Sequence, residues 1–414
     1  MKVSTRYILA CLQHMATWWR LPLAQTARRR LAPLRDVAAS RTPGPRQLLI
    51  DVSIIAAHDA GTGIQRVVRS LVRALLASPP EGYVVRTVKA TRRQSYTYAN
   101  QYQARMTGIA GACDDEPVRV ASGDLFLGLD LASRIAPSRQ RDFLCWRASG
   151  VRFAFIVYDM LPALHPQWFT RRAVRSFDTW LTTLTIHADA LFCISASVAE
   201  QTRQRIGISS LPVWWFHLGA DLPVAPAPTP SAACICGLRI LMVGTIEPRK
   251  GHAIVLDAFE RLWRDGLDAQ LVIVGRAGWA VEALVEKIET HRETGRRLQW
   301  HASLDDSQLE QLYRTVNGLV LASEGEGFGL PIIEAARYRL PLLLRDLPVF
   351  REIAREHATY FRAQDGAALA SQLKCWMDDL AAGTAPTSEA IEPLTWSASA
   401  SQLKGLIARL DTAS

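Results

Sequence analysis

From Arg46 onward, short apolar runs alternate with amphipathic stretches. Leu48-Leu49-Ile50-Asp51-Val52 reads as a buried strand, followed by a loop over 56–63 and an apolar-periodic helix over 64–77. Further strands are expected over 84–88, 125–129, 151–158 and 190–194, with helices over 171–186 and 196–206. Asp221-Leu222-Pro223 then opens a Pro- and Ala-rich stretch, through Pro226, Pro228 and Pro230 to Ala233, which reads as an interdomain linker. After it the alternation restarts. Strands are expected over 239–243, 270–274, 298–301, 319–322 and 342–344, and helices over 253–264, 281–292, 307–316, 331–338 and 349–356. Continuous apolar strands alternating with amphipathic helices argue for α/β units whose parallel sheets are covered on both faces. The pattern therefore predicts a Rossmann-like unit over 46–222, a linker over 223–236 and a second unit over 237–392. Residues 393–414 are expected to form a helix that returns to the first unit. Two such units leave a cleft between the carboxyl edges of their sheets, where ligands of open α/β sheets bind.

Composition sharpens the picture in one place. Of the 414 residues, 49% are apolar and 21% charged, a balance that excludes a disordered chain. No uncharged apolar run reaches the about 18 residues of a spanning helix. The net charge of +9 suggests a nucleic-acid binder. Its distribution argues against one, because residues 1–46 hold nine of the basic residues and a single acid, Asp36, leaving the rest nearly neutral. That basic arm, with Trp18 and Trp19, has two readings: a segment lying on an anionic membrane, or a poorly ordered tail. The seven cysteines form no disulfide or zinc framework and fit a reducing compartment.

Two stretches carry chemistry. Ser323-Glu324-Gly325-Glu326-Gly327-Phe328-Gly329-Leu330-Pro331-Ile332-Ile333-Glu334 follows a strand and opens a helix. Its alternate glycines leave the backbone bare for a ligand, and Pro331 suits the first helical turn. N–H groups at such a helix start suit a diphosphate, whereas Glu326 and Glu334 suit hydroxyls. The bland alternative is a Gly-rich turn with a capping Glu. The second stretch is Val243-Gly244-Thr245-Ile246-Glu247-Pro248-Arg249-Lys250-Gly251-His252, where Arg249 and Lys250 place two cations at the same sheet edge. An Arg fork and a Lys point charge can neutralise a pyrophosphate and stabilise its charge as it leaves. The alternative is a solvated basic turn.

These two stretches resemble the donor domain of retaining GT-B glycosyltransferases, specifically glycosyltransferase family 4 (group 1), and look mannosyltransferase-like. Glu326 and Glu334 match its E-x7-E signature, and the V-G-T-I-E-P-R-K-G-H run is similar to its V-G-T-x-E-P-R-K-x-H segment. Asp346-Leu347-Pro348-Val349-Phe350-Arg351-Glu352 and Thr395-Trp396 are also similar. In the first half, Gly61-Thr62-Gly63-Ile64-Gln65-Arg66 resembles the glycine loop that approaches the donor phosphates. The segment from Val157 to Pro166 resembles the family's H-D-x-x-P segment, with Tyr158 where many members have His and with Asp159 as the acid. A phenol of pKa about 10 does not replace imidazole as a base at neutral pH. Asp159 reads equally as a strand-end cap.

The resemblance implies a GT-B fold, two Rossmann-like domains facing across a cleft, and front-face transfer of a sugar from a nucleotide diphosphate with retention. It assigns catalysis to Arg249, Lys250, Glu326 and Asp159. Donor binding falls to Gly63, Gly244, Thr245, Arg249, Lys250, Glu326, Gly327, Phe328, Gly329, Leu330 and Glu334. The lean is to mannose from GDP-mannose, passed to a glycan or lipid-linked acceptor in cell-surface polysaccharide synthesis. No cofactor or metal is implied, because no D-x-D spacing occurs and the two cations can do a metal's charge work. Partners would be the donor, the acceptor and an anionic membrane surface through residues 1–45. The location would be cytoplasmic, peripheral on the inner membrane face. An epimerase or phosphorylase of the same fold is the enzymatic rival. A dinucleotide-binding module is disfavoured because Gly61-Thr62-Gly63 leads to Arg66, not to the third glycine of that fingerprint.

Overall fold

Leu48, Leu49 and Ile50 are fully buried, as an apolar run with parallel neighbours on both sides requires. They lie in β1 (Arg46–Asp51), between β2 (Tyr83–Lys89) and β4 (Leu125–Gly128). This is a computed structural model that describes residues 20–31, 45–108, 114–220 and 237–413. The expected linker at 223–236 lies outside the described residues, as does most of the basic arm. The chain divides into two compact units, one running to Leu218 and resuming at Trp396, the other spanning Gly219–Thr395.

In the first unit β3 (Thr97–Tyr98), β5 (Arg152–Val157), β6 (Ala190–Cys193) and β7 (Val213–Trp215) complete a seven-stranded sheet. Its order is β3-β2-β1-β4-β5-β6-β7, and β3 alone runs antiparallel, against β2. The order reverses direction between β1 and β4, the switch point of a doubly wound sheet. One face is filled by rings: Phe126 meets Tyr96, Phe143, Phe153 and Phe155 at centroid separations of 5.3–5.7 Å. Gly128 is required there, because a Cβ would lie 2.3 Å from the Phe155 ring.

Part of the basic arm differs from both sequence readings. Residues Arg20–Leu31 form helix α1, with Ala24 and Leu31 buried. Helix α2 (Gly63–Ala77) starts at the glycine loop, and α3 (Arg171–His187) is the long helix after β5. Arg28 of α1 is buried and donates from Nη1 to the carbonyls of Ala188 (2.6 Å) and Thr185 (3.3 Å) at the end of α3. A guanidinium is well placed against the negative end of a helix. Arg28 is thus used inside the fold and is not a free cation for lipid phosphate.

The last helix, Trp396–Thr412, belongs to the first unit. Arg152 donates to the carbonyl of Leu410 (2.9 Å) and pairs with Asp411. Asp411 also pairs with Arg46 (2.9 Å) and accepts from the Tyr83 hydroxyl (2.9 Å).

The second unit holds β8 (Arg239–Val243), β9 (Gln270–Val274), β10 (Leu298–His301), β11 (Gly318–Leu321), β12 (Leu342–Arg345) and β13 (Thr359–Phe361). They form a parallel sheet of order β10-β9-β8-β11-β12-β13, again doubly wound. One face carries a core around Phe259, Trp263 and Trp376, the other a core around Tyr313, Tyr338 and Phe350. Strands β3, β7 and β13 were not expected from sequence. They are two or three residues long, too short to establish a hydrophobic period.

Candidate active site

The carboxyl edge of the second sheet is built by backbone approaching backbone. Gly275, just after β9, has φ +151°, and a Cβ on it would lie 2.0 Å from the carbonyl oxygen of Gly244 at the end of β8. Gly251 has φ +77°, and a Cβ there would lie 2.4 Å from the Ala322 carbonyl oxygen beyond β11. These contacts fix the start of helix α4 (His252–Arg264) against the strand that leads into the Gly-rich loop. Between Gly244 and α4, Pro248–Lys250 makes one tight 3₁₀ turn. The Glu324 amide donates to the Arg249 carbonyl (2.7 Å), clamping the two loops together.

Arg249, Lys250 and Glu326 meet on this edge. Lys250 Nζ lies 2.5 Å from Glu326 Oε1, and Arg249 Nη1 lies 3.5 Å from Glu326 Oε2. Arg249 Nη1 also donates to the Gly325 carbonyl (2.9 Å), and its Nε faces Glu247 Oε2 at 3.1 Å. All four side chains are at most 20% exposed. Burial alone would push the Glu326 carboxyl up, but Lys250, then Arg249, with a bond from Ser323, hold it below the usual range. Two cations and two carboxylates therefore balance on this edge.

His252, the first residue of α4, is 1% exposed. Burial, with the Lys250 charge adding to it, pulls its pKa down to about 3, against a smaller opposing pull from the Gly244 carbonyl. Among the described residues neither ring nitrogen reaches a partner in hydrogen-bonding geometry. The imidazole is neutral beside Lys250 and leaves that cation's charge for the open edge.

Glu334 lies in the short helix α5 (Leu330–Ala336) and is 3% exposed. Its Oε2 accepts from the Tyr313 hydroxyl (2.8 Å), and that ring stacks on Tyr338 at 5.4 Å. Gly329 precedes the helix at φ +108°, Phe328 is buried and Thr245 is half-buried.

Gly63 and Asp159 belong to the first unit. Gly63 opens α2 behind a capping box: the Thr62 hydroxyl accepts from the Gln65 amide while Gln65 Oε1 accepts from the Thr62 amide. Gln65 also accepts from Ala60 N (2.8 Å) and donates to the His58 carbonyl (2.6 Å), so one side chain pins the loop. A Cβ on Gly63 would touch nothing within 4 Å, so packing does not demand glycine there. Asp159 Oδ1 accepts from Leu161 N (3.0 Å), the local turn that the sequence allowed as the alternative to a site role. Tyr158 is buried and donates to the Leu129 carbonyl (2.7 Å); burial, reinforced by Asp130, raises its pKa well above the phenol range.

The same sheet edge holds two acids that no motif flagged. Asp51 accepts from Ser53 N (2.9 Å), Ser53 Oγ (2.5 Å) and Tyr96 (3.0 Å). Burial lifts it to about 7, with Asp130 adding and the Ser53 and Tyr96 bonds opposing. Asp130 accepts from the amides of Ile54 and Ile55, both at 2.8 Å. The unassigned Glu247 and His252 stand inside the quoted run, and Gln65 completes a T-x-x-Q capping signal, so local pattern could have found all three. Tyr313 has no local signal.

Residues 237–385 match the family described as glycosyl transferases group 1. The serotype-specific mannosyltransferase WbdA of Escherichia coli is 43% identical over 375 residues, covering 86% of this chain and 46% of that protein. The chain thus spans about half the length of these curated relatives. Among solved structures, sucrose-phosphate synthase from Thermosynechococcus elongatus aligns over 89% of this chain and 100% of its own, with a TM-score of 0.62 at 18% identity. Anabaena HepE, solved with UDP and glucose, aligns over 87% and 99%, with a TM-score of 0.62 at 12% identity. Two doubly wound sheets and the structural likeness agree on the GT-B architecture, and residues 237–385 form a domain of the group 1 glycosyltransferase family.

Proposed function

We propose that this chain is a retaining glycosyltransferase that moves mannose from GDP-mannose to a glycan or lipid-linked acceptor in cell-surface polysaccharide synthesis. The observation that carries the reading is the convergence of Arg249, Lys250 and Glu326 on the carboxyl edge of the second sheet. Arg249 and Lys250 bind the diphosphate. Glu326, displaced from them, turns to the sugar hydroxyls, and Glu334 takes the ribose hydroxyls. Breaking the bond between C1 and the phosphate oxygen leaves its electron pair on the diphosphate, where the two cations stabilise it. The acceptor hydroxyl attacks C1 from the same face, and its proton passes to the departing phosphate. Gly63 contributes a bare loop near the phosphates, and Asp159 serves the acceptor side. No metal enters this reading, because side-chain cations carry the charge.

The mannose lean draws on the name of the WbdA relative, a serotype-specific mannosyltransferase. The reading places the enzyme on the cytoplasmic side, peripheral to the inner membrane face. Among the described residues no helix is long and apolar enough to cross a membrane. A thermal-shift comparison of GDP, UDP and ADP with their sugar conjugates tests the donor. The guanine pair should stabilise the protein most, and preference for another nucleotide would overturn the GDP-mannose assignment.

A further inference from the structure

The segment that follows Asp159 leaves the sheet edge, makes two short turns and enters α3. Between Asp159 and Asp178 the chain has no acid, but it has three arginines, Arg171, Arg172 and Arg175. All three are exposed, and none pairs with an acid among the described residues. Asp178, the nearest acid on α3, faces Arg205 at 4.0 Å. Arg171 and Arg172 stand in the first turn of α3, which holds no acid. Cations there oppose the helix dipole and weaken the helix, so the fold does not account for their position.

Apolar groups surround them. Leu164 is 40% exposed, among the few large apolar side chains left so open. Trp168 stacks on His165 at 4.0 Å with an interplanar angle of 16°, and the Trp168 and Phe169 rings remain half-exposed. An open leucine, two part-exposed aromatic rings and three unpaired guanidinium groups match the two layers of an anionic bilayer surface: acyl boundary and phosphate. A soluble acidic protein would satisfy the arginines but offers no reason for the aromatic platform beside them. The opposite end of α3 is where Arg28 of α1 is consumed.

We propose that Leu164–Arg175 is a membrane-docking corner, which seats Leu164, Trp168 and Phe169 at the interface of an anionic bilayer while Arg171, Arg172 and Arg175 bind lipid phosphates. It lies beyond the carboxyl end of β5, so docking brings a lipid-borne acceptor to the edge that carries Asp159. The inference does not depend on the transferase reading, because vesicle binding is measured without turnover. The test is flotation of the full chain with vesicles of phosphatidylcholine alone or mixed with phosphatidylglycerol. The wild type should float only with the anionic vesicles, and added salt should weaken it. The triple variant Arg171→Gln, Arg172→Gln, Arg175→Gln should lose about a hundredfold in partitioning. Leu164→Ser with Trp168→Ala should lose about tenfold. The triple variant should keep the wild-type melting temperature and transfer to a soluble acceptor. Unchanged flotation of the variants, or equal wild-type binding to neutral vesicles, overturns the proposal. Normal flotation with lost transfer to the soluble acceptor also overturns it and assigns the corner to the glycan.

Discussion

Replacing Glu326 with Gln removes one charge and little volume from a contact in which one carboxylate meets two cations. At an effective dielectric constant of about 20, the attraction across 2.5 Å to Lys250 is about 7 kcal/mol, and across 3.5 Å to Arg249 about 5 kcal/mol. Desolvation offsets most of this, and the side chains retain some exposure, so the net loss of stability should be about 1–3 kcal/mol. For a unit of this size that lowers the melting temperature by about 2–12 °C. The sign with pH follows from the depressed Glu326 pKa: the stabilisation is full above the unfolded value of about 4.3 and disappears as pH falls through the folded value. The gap between wild type and variant should therefore close in acid. Ligand affinity should move the other way. With Glu326 neutral, both cations face an arriving diphosphate without competition, so GDP should bind about tenfold tighter, about 1.4 kcal/mol. Mannose transfer should fall, because the hydroxyl acceptor has lost its charge. Calorimetric titration with GDP, melting curves across pH and a transfer assay read these three quantities. A variant that binds GDP no better and melts like the wild type would refute the claim that Glu326 restrains the cations.

Gly63→Ala should melt at or slightly above the wild-type temperature, since the site has room for a methyl and Ala favours helix. Its transfer rate should fall at least about tenfold if bare backbone is needed against the donor; full activity would remove Gly63 from the site. Gly251→Ala should cost more than about 2 kcal/mol in urea denaturation, because it combines a positive φ with a 2.4 Å approach to the Ala322 carbonyl. Gly266→Ala, with φ +88° and open space, is the control and should cost clearly less. His252 stays neutral when folded but takes a proton when unfolded, so its contribution is complete above pH 6.5 and is lost as pH falls toward about 3. Stability should drop by about 2 kcal/mol between pH 6.5 and 5 on this account, and a His252→Asn protein that keeps the same slope would contradict it.

Strands β8, β9, β11 and β12 were legible because each is built on an apolar run between helical patterns, the mark of a strand buried on both faces. Arg249, Lys250 and Glu326 were legible as chemistry for the same reason, since each sits in a loop immediately after such a run. That Glu326 grips both cations was not legible. It depends on Gly251 and Gly275 letting backbones touch, a relation between residues far apart in sequence. The tie of Glu334 to Tyr313, 21 residues upstream, has no local pattern either. The basic arm shows the limit of charge counting. A tally assigns Arg28 to a membrane or a tail, whereas the end of α3 presents carbonyls that this guanidinium satisfies inside the fold.

The most direct test of the central claim is turnover of GDP-mannose by the double variant Arg249→Gln, Lys250→Met, measured with its melting curve. If these cations hold the departing diphosphate, a folded double variant should lose at least about a thousandfold in kcat, as removal of pre-organised electrostatic stabilisation does elsewhere. A folded double variant that transfers mannose at close to the wild-type rate would contradict the account.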